Sequence, residues 1–338
     1  MVRQNSLLLI SGSILLLLVT GIVLLWSLSS GEYPLSLREI LFHRNSFSEI
    51  DTTILYTLRM PRSMLAFSVG SSLATAGVIL QAVYRNPMIE PYTLGISGGA
   101  SFAVAMAVIL PIPLIPPQIL LPVAGFIGAM GVTLLLYIPT PGQSLVQRHT
   151  TILLRGIMIS FLASSLVLLI ISLSPAHTIS EILNWLMGSL EQPFRPLVYL
   201  SGITSILGLL LALLSTASIN ALYLGFDEAH TLGISPQRIL PLLFFLAAIL
   251  TGVSVAATGI IGFVGLVIPH TVRIVTGNDH LPLLLFSWFG GGIFLLVCDT
   301  LARTLFVPIE LPVGVLTGII GAVVFLFLLK DTKGEYSL

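Results

Sequence analysis

Residues 58–102 read LRMPRSMLAFSVGSSLATAGVILQAVYRNPMIEPYTLGISGGASF, and this stretch decides the fold. An apolar run with many small residues between Gly70 and Gly77 is followed by Asn86-Pro87 and Pro91. Small residues let helices approach closely in lipid, where burial of apolar surface does not drive association. Because proline and the residue before it disfavour helix continuation, the prolines predict a sharp turn. The stretch therefore indicates two membrane-spanning helices joined by a tight turn.

Composition extends this interpretation to the whole chain. Of 338 residues, 56% are hydrophobic and 8% are charged, and the mean hydropathy is +1.06. A soluble domain carries about 25% charged residues, so lipid must be the solvent for most of this surface. The net charge of zero gives no basic surface for nucleic acid. Open strands cannot survive in lipid, so we expect an all-α integral membrane protein.

Ten apolar segments are long enough to be considered as membrane spans. They cover residues 7–27, 60–83, 92–110, 117–138, 151–172, 196–214, 239–257, 261–276, 282–302 and 312–329. The first is too long for the apolar region of a signal peptide, so we interpret it as a span. No linker divides the chain, and we predict a single domain over residues 1–338.

With ten spans both termini lie on one side of the membrane. Arg3 precedes the first span, and Lys330 and Lys333 follow the last, which favours a cytoplasmic location for both termini. All the cations then predicted outside are arginines: Arg38, Arg44, Arg59, Arg62, Arg195 and Arg303. Arginine pairs with carboxylates in a bidentate fashion. These arginines predict either a surface for an acidic partner or helix-end anchors at the membrane interface.

Two segments are interrupted by glycine and proline: residues 86–99 (NPMIEPYTLGISGG) and residues 258–270 (TGIIGFVGLVIPH). Paired interrupted segments in the two halves of a transporter typically mark the transport path. We therefore expect the halves around spans 2–5 and 7–10 to be related by inverted topology.

The loop between spans 6 and 7, residues 215–238, contains residues that typically start and end helices. Gly225 interrupts the backbone, Asp227 and Glu228 favour a helix start, and Gly233 suits a helix end. The loop predicts two short surface helices. The residues alone leave open whether these helices contact a partner or are simply solvated.

No motif for catalysis or metal binding emerges. The chain lacks GxxxxGK[ST], HExxH, CxxC and any histidine cluster, so we expect no bound cofactor or metal and no catalytic residue. The GISG of residues 95–98 with His270 as base would suit an intramembrane serine protease, but close packing explains the glycines more simply. Cys298 is expected to be a small buried hydrophobe. An ion-coupled secondary transporter would need ionisable residues in mid-membrane, which the apolar runs almost lack.

Several long motifs resemble one known family. They are RMPR (59–62), RNPMIEPYTLGISGGA (85–100), GFVGLVIPHTVR (262–273) and ARTLFVPIELPVGVLTGIIGA (302–322). Together they resemble the iron-siderophore, haem and cobalamin permeases of ABC importers. The resemblance implies the type II importer permease fold with about ten transmembrane helices, a homodimer, and the cytoplasmic membrane of a bacterium or archaeon.

The resemblance also implies partners. A cytoplasmic ABC ATPase dimer would hold ATP and Mg, and a periplasmic or lipid-anchored substrate-binding protein would dock outside. The expected cargo is a metal chelate, a ferric siderophore first, with haem, cobalamin or an oxyanion left open.

Residue roles follow from the same resemblance. Arg59, Arg62 and Arg303 would dock the binding protein, although Asp299 lies four residues before Arg303 and offers it a structural partner. Coupling to the ATPase would involve Leu224, Gly225, Asp227, Glu228, Ala229, His230, Leu232 and Gly233. The translocation path would include Arg155, Gly156, Ser160 and Ser164. Arg155 departs from the family pattern, and it would attract an anionic chelate, pair with Glu90 or extend to the membrane surface.

Overall fold

A computed structural model describes residues 2–42, 47–110, 112–138, 142, 145–191 and 194–331, so Arg44 and Lys333 lie outside the described residues. Its α-helices are α1 (Val2–Ser29), α2 (Leu37–Phe42), α3 (Glu49–Thr53), α4 (Met60–Tyr84), α5 (Ile96–Ile109), α6 (Pro117–Leu136), α7 (Leu145–Leu173), α8 (Ala176–Leu186), α9 (Arg195–Leu214), α10 (Thr216–Leu224), α11 (Phe226–Thr231), α12 (Pro236–Thr258), α13 (Val264–Thr276), α14 (His280–Thr304) and α15 (Val313–Asp331). A π-helical segment, Ile54–Arg59, joins α3 to α4, and a 3₁₀ turn, Pro91–Leu94, precedes α5. The described part of the chain contains no strand.

All ten predicted spans are helices, and the chain is a multi-pass membrane protein. Among the described residues, seven helices are long and apolar enough to cross a membrane, and three shorter apolar helices, α5, α13 and α15, match the remaining predictions. Helix α8 was not predicted, because its eleven residues are too few for a span. It buries Thr178 and Ile182 against the bundle, as an amphipathic helix does.

Helix α4 forms the centre of the bundle and is buried along nearly its whole length. Its small residues allow backbone-to-backbone contact with two neighbours. A Cβ at Gly70 would overlap the carbonyl of Gly291 in α14, and a Cβ at Gly77 would overlap the carbonyl of Gly265 in α13. The close packing expected from the opening stretch is therefore confirmed.

Helix α13 starts inside the bundle and is fixed there by a side chain of α4. Pro269 has no N–H, so it cannot donate the usual helical hydrogen bond to the carbonyl of Gly265, four residues earlier. The side chain of Gln81 in α4 donates a hydrogen bond to this carbonyl instead, from Nε2 at 3.1 Å. The proline and the glutamine thus act together to position α13 against α4.

The two interrupted segments meet each other. The backbone N–H of Ile261 donates to the Tyr92 hydroxyl at 3.2 Å, and the backbone of Phe263 lies beside the Glu90 carboxyl. Phe263 has φ +69°, which is uncommon for a residue with a side chain. The sequence marked these segments as a pair, and they lie in contact.

The bundle has two distinct ends. The last turn of α1 contacts Arg59 and Arg303, so we name this the arginine end. Helices α10 and α11 lie at the opposite end, where Asn220 contacts the start of α14. Since α1 ends and α15 begins at the arginine end, their outer termini lie at the α10 end.

Candidate functional site

The arginine cluster consists of Arg59, Arg62, Asp299, Arg303 and Glu310. Asp299 is fully buried and accepts from Nε of Arg62 at 2.8 Å. The Nε of Arg303 lies 3.4 Å from the other oxygen of Asp299. The carboxylate of Glu310 accepts a second hydrogen bond, from Nη1 of Arg62, at 2.7 Å. One buried aspartate therefore holds two arginines in place.

Two arginines of the cluster, Arg59 and Arg303, also cap the end of α1. Arg59 donates to the carbonyl oxygens of Leu28, Ser29 and Tyr33. Arg303 donates to the carbonyl of Ser27 at 2.8 Å. The last carbonyls of a helix lack intrahelical partners and carry partial negative charge, so guanidinium groups satisfy and stabilise them.

Of the arginines predicted outside, Arg38 and Arg195 are exposed, but Arg59, Arg62 and Arg303 do not form an exposed surface. Arg59, Arg62 and Arg303 are only 6%, 7% and 8% exposed, because their guanidinium groups are engaged within the chain. The contact between Arg303 and Asp299 expected as the structural alternative is present. Docking of an acidic partner by these residues stays a prediction.

A crevice of about 280 Å³ opens beside the cluster. Its lining includes the three arginines together with Glu32, Glu191 and Glu310. The crevice is thus bordered by both signs of charge, and an incoming carboxylate would compete with carboxylates already there.

At the opposite end, the predicted pair of short helices is confirmed. Helices α10 and α11 are separated by Gly225, whose φ of +155° and closeness to the Glu228 side chain exclude a Cβ. Gly233 has φ +80° and follows the end of α11, as expected for a glycine cap.

Two leucines of this region have side chains that are largely exposed. Leu224 is 65% exposed and Leu232 is 63% exposed, and both flank α11. Among the other predicted coupling residues, Asp227, Glu228, His230 and Gly233 are exposed, and Gly225 and Ala229 are buried. These two leucines give this end of the bundle exposed apolar surface outside the spans.

Helix α10 is hydrogen-bonded to the start of α14. The Oδ1 of Asn220 accepts the backbone N–H of His280 at 3.0 Å and lies 2.6 Å from Nδ1 of the same histidine. Its Nδ2 donates to Asp279 at 3.2 Å. Directional bonds from one asparagine thus tie α10 to a long helix of the bundle.

Helix α11 is held differently, through Phe226. The ring of Phe226 lies 5.0 Å from the ring of His149 in α7 and 5.2 Å from the guanidinium of Arg85 at the end of α4. Sequence reasoning missed Phe226, although an aromatic residue directly after a hinge glycine was a usable signal. Its contacts link α11 to two membrane helices without a hydrogen bond between side chains.

The predicted path residues of α7 face different surroundings. Gly156 is buried against Leu94, and Ser160 packs near Gly95 and donates to the Gly156 carbonyl at 3.0 Å. Ser164 is exposed. Their assignment to a path stays a prediction.

Arg155 donates to the carbonyl of Ile138 at 2.8 Å. The ion pairs described for the chain do not join it to Glu90.

Glu90 lies between the spans, at the contact of the two interrupted segments. Burial raises the pKa of its carboxyl to about 7, and the nearby backbone N–H of Phe263 opposes this rise. One carboxyl oxygen has no hydrogen-bond partner among the described residues. The carboxyl is thus held near the start of α13 in an environment that favours its neutral form.

The protease alternative gains no support. Both nitrogens of His270 lack a hydrogen-bond partner within the described residues, so His270 does not bond Ser97, and a general base must reach its nucleophile. Among the described residues, no group of three or more His, Cys, Asp or Glu could hold a metal ion.

Comparison with known proteins agrees with the architecture. The chain is 37% identical over 330 residues to the hemin transport system permease protein of Yersinia pestis, covering 96% of each chain. It is 36% identical over 288 residues to the cobalamin import system permease protein of Halobacterium salinarum, covering 84% of this chain and 75% of that protein.

A solved structure of a metal-chelate type ABC transporter in an inward-facing conformation superposes with a TM-score of 0.82 and 28% identity, covering 94% of this chain and 98% of that chain. The model of the FecCD transport family matches residues 16–331. The chain belongs to the FecCD transport family.

Proposed function

We propose that this chain is the membrane-spanning permease subunit of an ABC importer and that it carries a metal chelate into the cytoplasm. The observation that supports this most is its similarity, over nearly the whole length, to permeases named for hemin and cobalamin. The structural neighbour of the metal-chelate type agrees with it.

Hemin and cobalamin are both metal chelates of a large ring, so we place this class first among the cargoes to be tested. Ferric siderophores and oxyanions follow. The permease works as a homodimer in the cytoplasmic membrane of a bacterium or archaeon.

The α10 end faces the cytoplasm and receives an ABC ATPase dimer that supplies ATP and Mg. The exposed side chains of Leu224 and Leu232 support this assignment. Both termini then lie in the cytoplasm, because α1 begins and α15 ends at the same end of the bundle. The arginine end faces outward and docks the substrate-binding protein.

Purification of the tagged chain from native membranes, followed by mass spectrometry, tests this proposal. We expect an ABC ATPase and a substrate-binding protein to be retained with the tagged chain. An unrelated multi-pass protein with the same tag should retain neither of them. The recovered binding protein is then titrated with hemin, cyanocobalamin, a ferric siderophore and molybdate.

Recovery of the chain as a stable oligomer without an ATPase would contradict the proposal. Uptake dependent on an ion gradient would then favour the secondary transporter.

A further inference from the structure

Arg62 binds two carboxylates that differ sharply in their surroundings. Asp299 is fully buried and sits between two arginines. The side chain of Glu310 is 36% exposed and contacts only Nη1 of Arg62 among the described ion pairs. The same guanidinium therefore has one permanent partner and one partner at the edge of solvent.

The two pairs differ in how easily they break. Removing the partner of a buried charge is strongly unfavourable, because the remaining charge cannot be hydrated. A pair that reaches solvent contributes little, since water replaces the lost contact. Glu310 also lies in the connection between α14 and α15 rather than within a helix, so its departure disrupts no helical bonds.

The charge of the site depends on Glu310. The three arginines and Asp299 together carry a net charge of two positive, which Glu310 reduces to one. The crevice of about 280 Å³ beside the pair is lined by Arg62 and Glu310 themselves. A second carboxylate entering this crevice would find Arg62 and would meet Glu310 as its competitor.

We infer that Glu310 is an exchangeable ligand, which occupies Arg62 until an acidic side chain of the docking substrate-binding protein replaces it. This inference rests on the proposed function and adds to it a residue that weakens docking in the resting permease. The competition would help the binding protein to leave after its cargo has been delivered.

The test measures binding of the substrate-binding protein recovered with the wild-type chain to permease in nanodiscs. Glu310→Gln keeps the size of the side chain and removes its charge, so we expect an affinity about threefold higher than wild type, since only a solvent-exposed pair is lost. Glu310→Ala should raise the affinity as well and serves as the second variant if the first fails to fold.

Glu191→Gln is the matched control. It removes one negative charge from the lining of the same crevice, and Glu191 has no ion pair within the described part of the chain. We expect its affinity to change less than that of Glu310→Gln, most clearly at high salt, where through-space effects are screened.

An unchanged or lower affinity of folded Glu310 variants, or an equal gain with Glu191→Gln, would overturn the inference while leaving the importer assignment intact. Failure of the wild-type chain to bind would instead contradict the proposed partner, and the inference would fall with it.

Discussion

At the arginine end, charged side chains join three helices around the buried carboxylate of Asp299, through directional hydrogen bonds from Arg62 and Arg303 and an ion pair between Arg303 and Asp299. At the α10 end, Asn220 fixes α10 by hydrogen bonds, whereas α11 packs on the bundle through the ring of Phe226 and the buried Ala229. A buried ionic cluster has essentially one arrangement, whereas an aromatic contact tolerates small displacements. We therefore expect α11 to be displaced more easily than the helices joined by Asp299.

Replacing Asp299 should have the largest effect on stability, because it removes the carboxylate that holds the arginine end together. Asp299→Ala leaves two buried arginines without their shared carboxylate, and we expect a loss of about 3–5 kcal/mol in the free energy of unfolding. Glu310→Gln, which removes the exposed partner of the same arginine, should cost about 0–1 kcal/mol. Denaturant titration in micelles measures both. Equal stability of the two variants would show that the cluster does not fix this end.

The exposed leucines provide the next largest effect. Leu224→Ala or Leu232→Ala should weaken binding of the ATPase about thirtyfold, since full burial of a leucine contributes about 2 kcal/mol. Thr231→Ala, an exposed neighbour on α11, is the control and should bind normally. Binding of the substrate-binding protein at the other end should not change. Undiminished ATPase binding by both leucine variants would place the ATPase elsewhere.

Phe226 separates binding from coupling. Phe226→Ala keeps the exposed leucines but removes the aromatic contacts of α11, so the ATPase should still bind. Chelate transported per ATP hydrolysed should fall about fivefold, the scale of a lost aromatic pair. Phe226→Tyr preserves the ring and should restore most of this ratio. A normal ratio in the alanine variant would mean that α11 acts through other contacts.

Replacement of Glu90 should change only the pH dependence of stability. Its pKa is raised from 4.5 to about 7 in the folded protein, so the folded state retains a proton that the unfolded state releases. Stability should therefore fall as the pH rises from about 4.5 to about 7. In Glu90→Gln this fall should be smaller, as measured by thermal unfolding in detergent. An unchanged profile in Glu90→Gln would exclude this carboxyl as its source.

Local patterns in the sequence were sufficient to predict much of the fold. Apolar length located the ten spans, and glycine with acidic residues located α10 and α11. The small residues of α4 predicted its close contacts. These features depend on neighbouring residues along the chain, which is why a single sequence carries them.

The parts of the site that depend on distant residues could not be predicted. Arg62 and Glu310 are 248 residues apart, and Arg62 and Asp299 are 237 apart. Nothing local indicated that these arginines would be buried. The contacts of Phe226 with Arg85 and His149 likewise arise only once three helices pack together.

Transport by the purified complex in proteoliposomes tests the central claim most directly. The complex contains this chain and the ATPase recovered with it, and the probe is the chelate retained by the binding protein. We predict accumulation above the external concentration with ATP, and none when the catalytic residue of the ATPase is replaced. Accumulation against a gradient by the complex with the inactive ATPase would contradict the account.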